Sequence, residues 1–121
     1  MGRTILVVDD DFVTRLMLKE YLEMNGCRII EAGDGGEAFQ TAQKEKPDLI
    51  ITDINMPNLD GYGFIEGVRR DRRHRSRPIL VLSTESDPEK KGRARAAGAT
   101  GWIVKPFKAE SLIDAIRRVA A

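Results

Sequence analysis

Four places in this chain carry side chains that together could handle a divalent cation and a phosphoryl group. They are the carboxylates Asp9 and Asp10, the carboxylate Asp53, the hydroxyls Ser83 and Thr84, and the ammonium of Lys105. Three carboxylates brought into one partly dry pocket repel one another and gain proton affinity unless a cation stands among them. An all-oxygen donor set with room for water suits Mg²⁺ and not zinc, which prefers nitrogen and sulfur. The backbone carbonyl of Asn55, two residues past Asp53, offers a further neutral oxygen. With the cation in place, one carboxylate can act as nucleophile while Lys105 and a Ser or Thr hydroxyl balance the charge of the transferred group. Asp53 is the candidate nucleophile because it stands apart from the acidic pair. Lys105 precedes Pro106, and a cis peptide there is a candidate means of aiming the ammonium inward.

These groups need elements that end at one place. Each follows an apolar run: Ile5-Leu6-Val7-Val8 before Asp9, Leu49-Ile50-Ile51 before Asp53, Ile79-Leu80-Val81-Leu82 before Ser83, and Trp102-Ile103-Val104 before Lys105, with Ile29-Ile30 as a fifth run. Continuous apolar runs read as strands covered on both faces. Between them lie segments with helical spacing: Val13, Met17, Tyr21 and Met24 with Leu16; Ala38 and Ala42 beside Phe39; Phe64, Ile65 and Val68; a weak stripe over 89–97; and Leu112, Ile116 and Val119. Glycines and prolines punctuate the joins, among them the turn from Asn58 to Gly61. Five βα alternations with right-handed crossovers predict an α/β flavodoxin-like, doubly wound (βα)5 domain with a parallel sheet in the order 2-1-3-4-5. In such a sheet the working crevice lies beyond the carboxyl ends of the strands, where all the polar groups fall.

A length of 121 residues, 41% hydrophobic and 32% charged, suits one globular domain. The formal charge of +1 gives no basic excess of the kind a nucleic-acid binder carries, and no apolar run is long enough to cross a membrane. A single cysteine, Cys27, excludes an internal disulfide. The expectation is a cytoplasmic monomer. The basic run Arg69, Arg70, Arg72, Arg73, Arg75 and Arg77 reads as the solvated end of a helix and its loop, with His74 as a surface histidine. Asp11 reads as a helix cap.

The order and spacing of Asp9-Asp10, Asp53, Ser83 and Lys105-Pro106-Phe107 resemble the receiver domain of two-component response regulators over essentially the whole chain. The likeness is greatest to CheY-type chemotaxis regulators, across Thr52-Asp53-Ile54-Asn55-Met56-Pro57 and from Ala97 to Phe107. That resemblance implies a single receiver domain over 1–121 with no output domain. It also implies Mg²⁺-dependent phosphoryl transfer to Asp53 from a phosphohistidine of a CheA-like sensor histidine kinase. Ser83 and Trp102 are implied to act as the switch, and Asn55 and Glu85 to tune dephosphorylation. A flagellar motor switch protein is the implied output partner, with a phosphorelay shuttle as the alternative. The segment Asp9-Asp10-Asp11 also fits the D-x-D pattern of haloacid dehalogenase-type phosphatases, where Asp9 would be the nucleophile. A flavin- or nucleotide-binding module would need a phosphate loop after the first strand, where this chain places acids.

Overall fold

The computed structural model describes residues 3–56 and 60–119. Five strands, β1 (Thr4–Val8), β2 (Arg28–Ala32), β3 (Leu49–Thr52), β4 (Ile79–Ser83) and β5 (Gly101–Val104), pair in parallel in the order β2-β1-β3-β4-β5. Five helices alternate with them: α1 (Phe12–Met24), α2 (Gly35–Glu45), α3 (Gly61–Arg70), α4 (Pro88–Ala97) and α5 (Ala109–Val119). Pro57, at the end of the Thr52–Pro57 motif, and Asn58 and Leu59 in the following turn lie outside the described residues.

The alternation of side chains along each central strand divides the core into two layers. Leu6, Val8, Ile50, Ile79 and Val81 point to the side covered by Ala38, Phe64, Ile65 and Val68 of α2 and α3. Ile5, Val7, Ile51, Leu80 and Leu82 point to the side covered by Leu18, Leu22, Leu112 and Ile116 of α1 and α5. Strands β1, β3 and β4 are buried on both faces, which is why they read as unbroken apolar runs, whereas the edge strands β2 and β5 are mostly half-buried.

Helix α1 departs from the expected packing. Val13, Leu16, Met17 and Met24, half of its strongest apolar stripe and more, face solvent, and the sheet is covered by Thr14, Leu18 and Leu22 instead. The helix carries apolar residues around most of its circumference, so periodicity alone does not choose the side that packs. Leu18 and Leu22, one turn apart, fit against Ile5 and Val7 and leave the other stripe outside.

The basic run is also corrected. His74 is 1% exposed, in the short 3-10 turn Arg72–His74 that follows α3. Its Nδ1 accepts a hydrogen bond from Arg77 Nε at 2.6 Å, and Arg77 Nη1 in turn donates to the Pro47 carbonyl. Arg69 Nε donates to the Gly98 carbonyl at 2.9 Å, and its Nη1 donates to the carbonyls of His74 and Arg75, each at 3.1 Å. Two of the six arginines therefore close orphan carbonyls at a helix end and a strand entrance. Gly98 permits this: its φ is +120°, and a Cβ there would lie 2.5 Å from Arg69 Cγ. Arg70, Arg72, Arg73 and Arg75 remain exposed, as the sequence suggested.

Burial, and then the neighbouring Arg77 guanidinium, hold His74 below its ordinary pKa of 6.5. A histidine depressed in the folded state contributes stability above its unfolded pKa and loses it as pH falls through the folded one. The urea midpoint is therefore expected to fall as pH drops below about 6.5. His74→Gln should flatten that dependence, because this is the only histidine. Asp53, whose carboxyl is shifted upward, acts in the opposite sense and remains in the variant. An equal slope in both proteins would contradict the assignment.

Candidate functional site

Strand β1 ends directly in the acidic turn. Asp9 N donates to the Ala32 carbonyl at 3.1 Å and so continues the β1–β2 ladder by one step, which buries Asp9 while Asp10 stays exposed. Asp11 caps α1: its carboxylate accepts from Val13 N at 3.1 Å and from Thr14 Oγ1 at 2.7 Å. The Thr14 hydroxyl, and next the Val13 amide, hold the Asp11 carboxyl below its usual range.

Asp53 follows β3 in the same manner, with its N–H on the Val8 carbonyl at 2.9 Å. Ile54 N donates to Asp53 Oδ1 at 2.7 Å, which leaves Oδ2 facing the pocket. Burial raises the Asp53 pKa, opposed by Lys105 and by the Ile54 amide, and Asp9 adds to the rise. Asn55 is exposed, and its backbone N–H lies against the Asp53 carboxylate. Helix α3 returns onto this turn: Gly61 N donates to the Ile54 carbonyl at 2.9 Å.

Lys105, one residue past β5, reaches Asp9 Oδ2 at 2.9 Å and Asp53 Oδ2 at 3.7 Å. The Lys105–Pro106 peptide is cis. One oxygen from each of Asp9, Asp10 and Asp53 lies within 4.8 Å of the others. These are hard, anionic donors with no nitrogen or sulfur among them, and one side of the cluster is open at Asp10, so the set fits Mg²⁺. Both Asp9 oxygens are engaged, Oδ1 by Asp11 N at 2.9 Å and Oδ2 by Lys105. Asp53 Oδ2 has the longer contact with Lys105, 3.7 Å against 2.9 Å for Asp9 Oδ2.

Ser83 is buried at the end of β4, and its Oγ accepts from Glu85 N at 3.2 Å. Thr84 is exposed beside it. The Glu85 carbonyl accepts from Trp102 Nε1 at 2.9 Å, and the Glu85 carboxylate pairs with Lys90 Nζ at 2.9 Å. Ser83, Glu85 and Trp102 thus form one connected path from the pocket to the edge strand. Trp102 is half-buried against the α2/α3 layer of the core.

The sequence reading missed a neighbouring surface. Among the described residues the large exposed hydrophobics are Phe12, Val13, Leu16, Met17 and Met24, all on α1. A mostly apolar cleft of about 460 Å³ runs from Met17 and Tyr21 to Thr84, Lys105 and Phe107. The signal is present in the sequence as the helical spacing of Val13, Leu16, Met17 and Met24.

A family model described as the response regulator receiver domain matches residues 5–117. The transcriptional regulatory protein PdtaR of Mycobacterium tuberculosis is 42% identical over 115 residues, covering 94% of this chain and 55% of PdtaR. The chain thus spans about half the length of that curated relative. The structure of chemotaxis protein CheY4 of Vibrio cholerae superposes with a TM-score of 0.94 at 43% identity, covering 98% of this chain and 99% of that one. The receiver domain of sensor histidine kinase PA1611 from Pseudomonas aeruginosa, solved with magnesium coordinated in its active-site cleft, superposes with a TM-score of 0.92 at 28% identity. That match covers 99% of this chain and 98% of that one.

A Cβ on Gly61 would lie 2.3 Å from the Asp53 carbonyl oxygen and 2.7 Å from Ile54 Cα, both backbone atoms that cannot swing aside. Gly61→Ala is expected to cost about 1–3 kcal/mol by overpacking. It should lower the melting temperature by several degrees and displace the Asp53 turn. An unaltered thermal transition would refute this packing argument.

Proposed function

The chain belongs to the response regulator receiver domain family, and from that premise we propose that it accepts a phosphoryl group on Asp53 from a histidine kinase. The observation that carries the reading is the position of Asp53 Oδ2, 3.7 Å from the Lys105 ammonium and within the three-carboxylate cluster. In the transfer, Asp53 Oδ2 attacks the phosphorus of a phosphohistidine, the P–N bond breaks, the imidazole leaves, and a P–O bond forms. Asp9, Asp10 and Asp53, with the Asn55 carbonyl, would hold Mg²⁺. When bound, the ion supplies charge neutralisation for the phosphoryl oxygens and orients them for in-line displacement. Lys105 leaves Asp9 to pair with the new phosphoryl oxygens, and the Ser83 hydroxyl donates to one of them.

The donor docks on the apolar α1 face and the adjoining cleft, because Met17 belongs to both and the cleft is also lined by Lys105. As Ser83 turns toward the phosphoryl group, the Glu85 amide loses its acceptor, the loop carrying the Glu85 carbonyl moves, and Trp102 follows through its 2.9 Å hydrogen bond. The output surface is then α4, β5 and α5, and its partner in a chemotaxis-type pathway is a flagellar motor switch component. The likeness to CheY4 favours that pathway. Asn55 and Glu85 set the lifetime of the phosphoryl group. This reading places the chain in the cytoplasm.

Asp53→Asn should accept no stable label from acetyl phosphate with Mg²⁺ while keeping the wild-type far-ultraviolet circular dichroism spectrum. A labelled, folded Asn variant would refute the assignment. In wild type, beryllofluoride with Mg²⁺ should change the fluorescence of the single tryptophan, Trp102, and omission of Mg²⁺ should abolish the change. Lys105→Ala should still take up label but lose most of the fluorescence response. A full response in labelled Lys105→Ala would contradict the pairing of Lys105 with the phosphoryl oxygens as a step toward the switch.

A further inference from the structure

We propose that Arg15, held by Glu31, is a positioning residue that fixes the Asp9–Asp10 turn for Mg²⁺, an inference that rests on the metal reading above. Arg15 closes the first turn of α1 and points back beneath the acidic turn. Its Nη1 donates to the Asp9 carbonyl at 2.5 Å, the one Asp9 polar group left after its amide binds Ala32 and its carboxylate binds Asp11 N and Lys105. Its Nε is fully buried and lies 3.4 Å from Glu31 Oε1 on β2, an ion pair without hydrogen-bond geometry. Lys19 Nζ approaches the other Glu31 oxygen at 3.8 Å. The Phe12 ring lies 5.9 Å from the guanidinium carbon.

The peptide joining Asp9 to Asp10 sets the direction in which Asp10 leaves the strand, and Arg15 holds the carbonyl of that peptide. Glu31 has two effects. It anchors the guanidinium to a strand, and it offsets a positive charge that would otherwise compete with the metal. Lys105 has a different part: it must move to the phosphoryl group, whereas Arg15, locked between β2 and α1, stays.

Charge and geometry make opposite forecasts for removal of this cation. By charge alone, Arg15→Met would tighten Mg²⁺ binding, because a nearby positive group is lost. If Arg15 positions the turn, binding weakens, and loss of an outer partner of a metal site typically costs 10-fold or more in affinity. The test is calorimetric titration of MgCl₂ into the full chain and into Arg15→Met, Arg15→Lys and Glu31→Gln, with melting temperatures measured without metal. The expected result is about 10-fold weaker Mg²⁺ binding in Arg15→Met and a smaller loss in the other two variants. A lowered melting temperature with unchanged Mg²⁺ affinity would show a merely structural role and overturn the proposal, as would tighter binding. Should Arg15→Met not fold, the other two titrations decide by the same criterion. Wild-type protein that takes up no Mg²⁺ would remove the metal reading itself. Wild-type binding retained unchanged in all folded variants removes only the role of Arg15.

Discussion

Asp9, Asp10 and Asp53 each bring an oxygen to within 4.8 Å of the others, and no local feature of the chain would hold them there. Two unit charges at that distance repel by roughly 3–4 kcal/mol at an effective dielectric near 20. The opposing restraint is the sheet. Asp9 and Asp53 extend two neighbouring strands whose residues from Ile5 to Val8 and from Leu49 to Thr52 are essentially inaccessible to solvent, and the ladder continues through the amides of both acids. To separate the carboxylates the protein would have to slip the β1–β3 register, and a slip of one residue would turn the apolar side chains of both layers to the wrong face. The burial of Ile5, Leu6, Val7, Ile50 and Ile51 therefore keeps an electrostatically unfavourable cluster in place, and Lys105 offsets part of the repulsion from the other side.

That arrangement explains where the molecule is stiff and where it can yield. The acidic cluster sits on the most deeply buried strands, whereas α4 contributes only Ala94 to the buried core. Helix α4 is held at its ends. At the C-terminal end, Arg69 holds the Gly98 carbonyl; at the N-terminal end, Lys90 pairs with Glu85, and the Tyr62 hydroxyl meets the Lys90 carbonyl at 3.4 Å. Arg93 lies over the Tyr62 ring at 4.0 Å. Few apolar contacts and polar ties at the margins are the properties of an element with low local stability. Glu85 belongs both to the path from Ser83 to Trp102 and, through Lys90, to the ties of this weakly packed helix.

The fold was readable because its cause is short-range: doubly covered strands must be continuous apolar runs, and all five runs became strands in the order expected. The convergence of Asp9, Asp53, Ser83 and Lys105 was readable for the same reason, since strand ends in a parallel sheet meet on one edge. Side-chain destinations that depend on a partner distant in sequence were not. His74 looked like a surface residue because its arginine-rich surroundings are polar. Only the folded chain brings Pro47 to Arg77 and so lets Arg77 bury the imidazole. Arg69 was unreadable in the same way, since its main acceptor, Gly98, is 29 residues away. For α1 the sequence contained two usable apolar faces, and periodicity alone does not choose between them.

The exposed stripe on α1 and the charge balance of the pocket bear on each other. With its carboxylates ionised and Lys105 charged, the pocket carries a formal charge of minus two, so a single divalent cation brings it to neutrality. A phosphoryl group turns the Asp53 carboxylate into a neutral ester-like group and adds about −1.5 to −2 of its own, leaving the site more negative than before. Lys105 is already in the pocket, so its move from Asp9 to the phosphoryl group redistributes charge without adding any. On the proposed function that excess would be met by hydrogen-bond donors drawn inward, and the buried Ser83 hydroxyl at the end of β4 is the candidate. An anionic phosphoryl donor would be repelled by the three carboxylates unless a cation stood among them. On the proposed function, the apolar α1 face beside that pocket would give a donor an attraction independent of the pocket's charge, so docking and chemistry would not oppose each other.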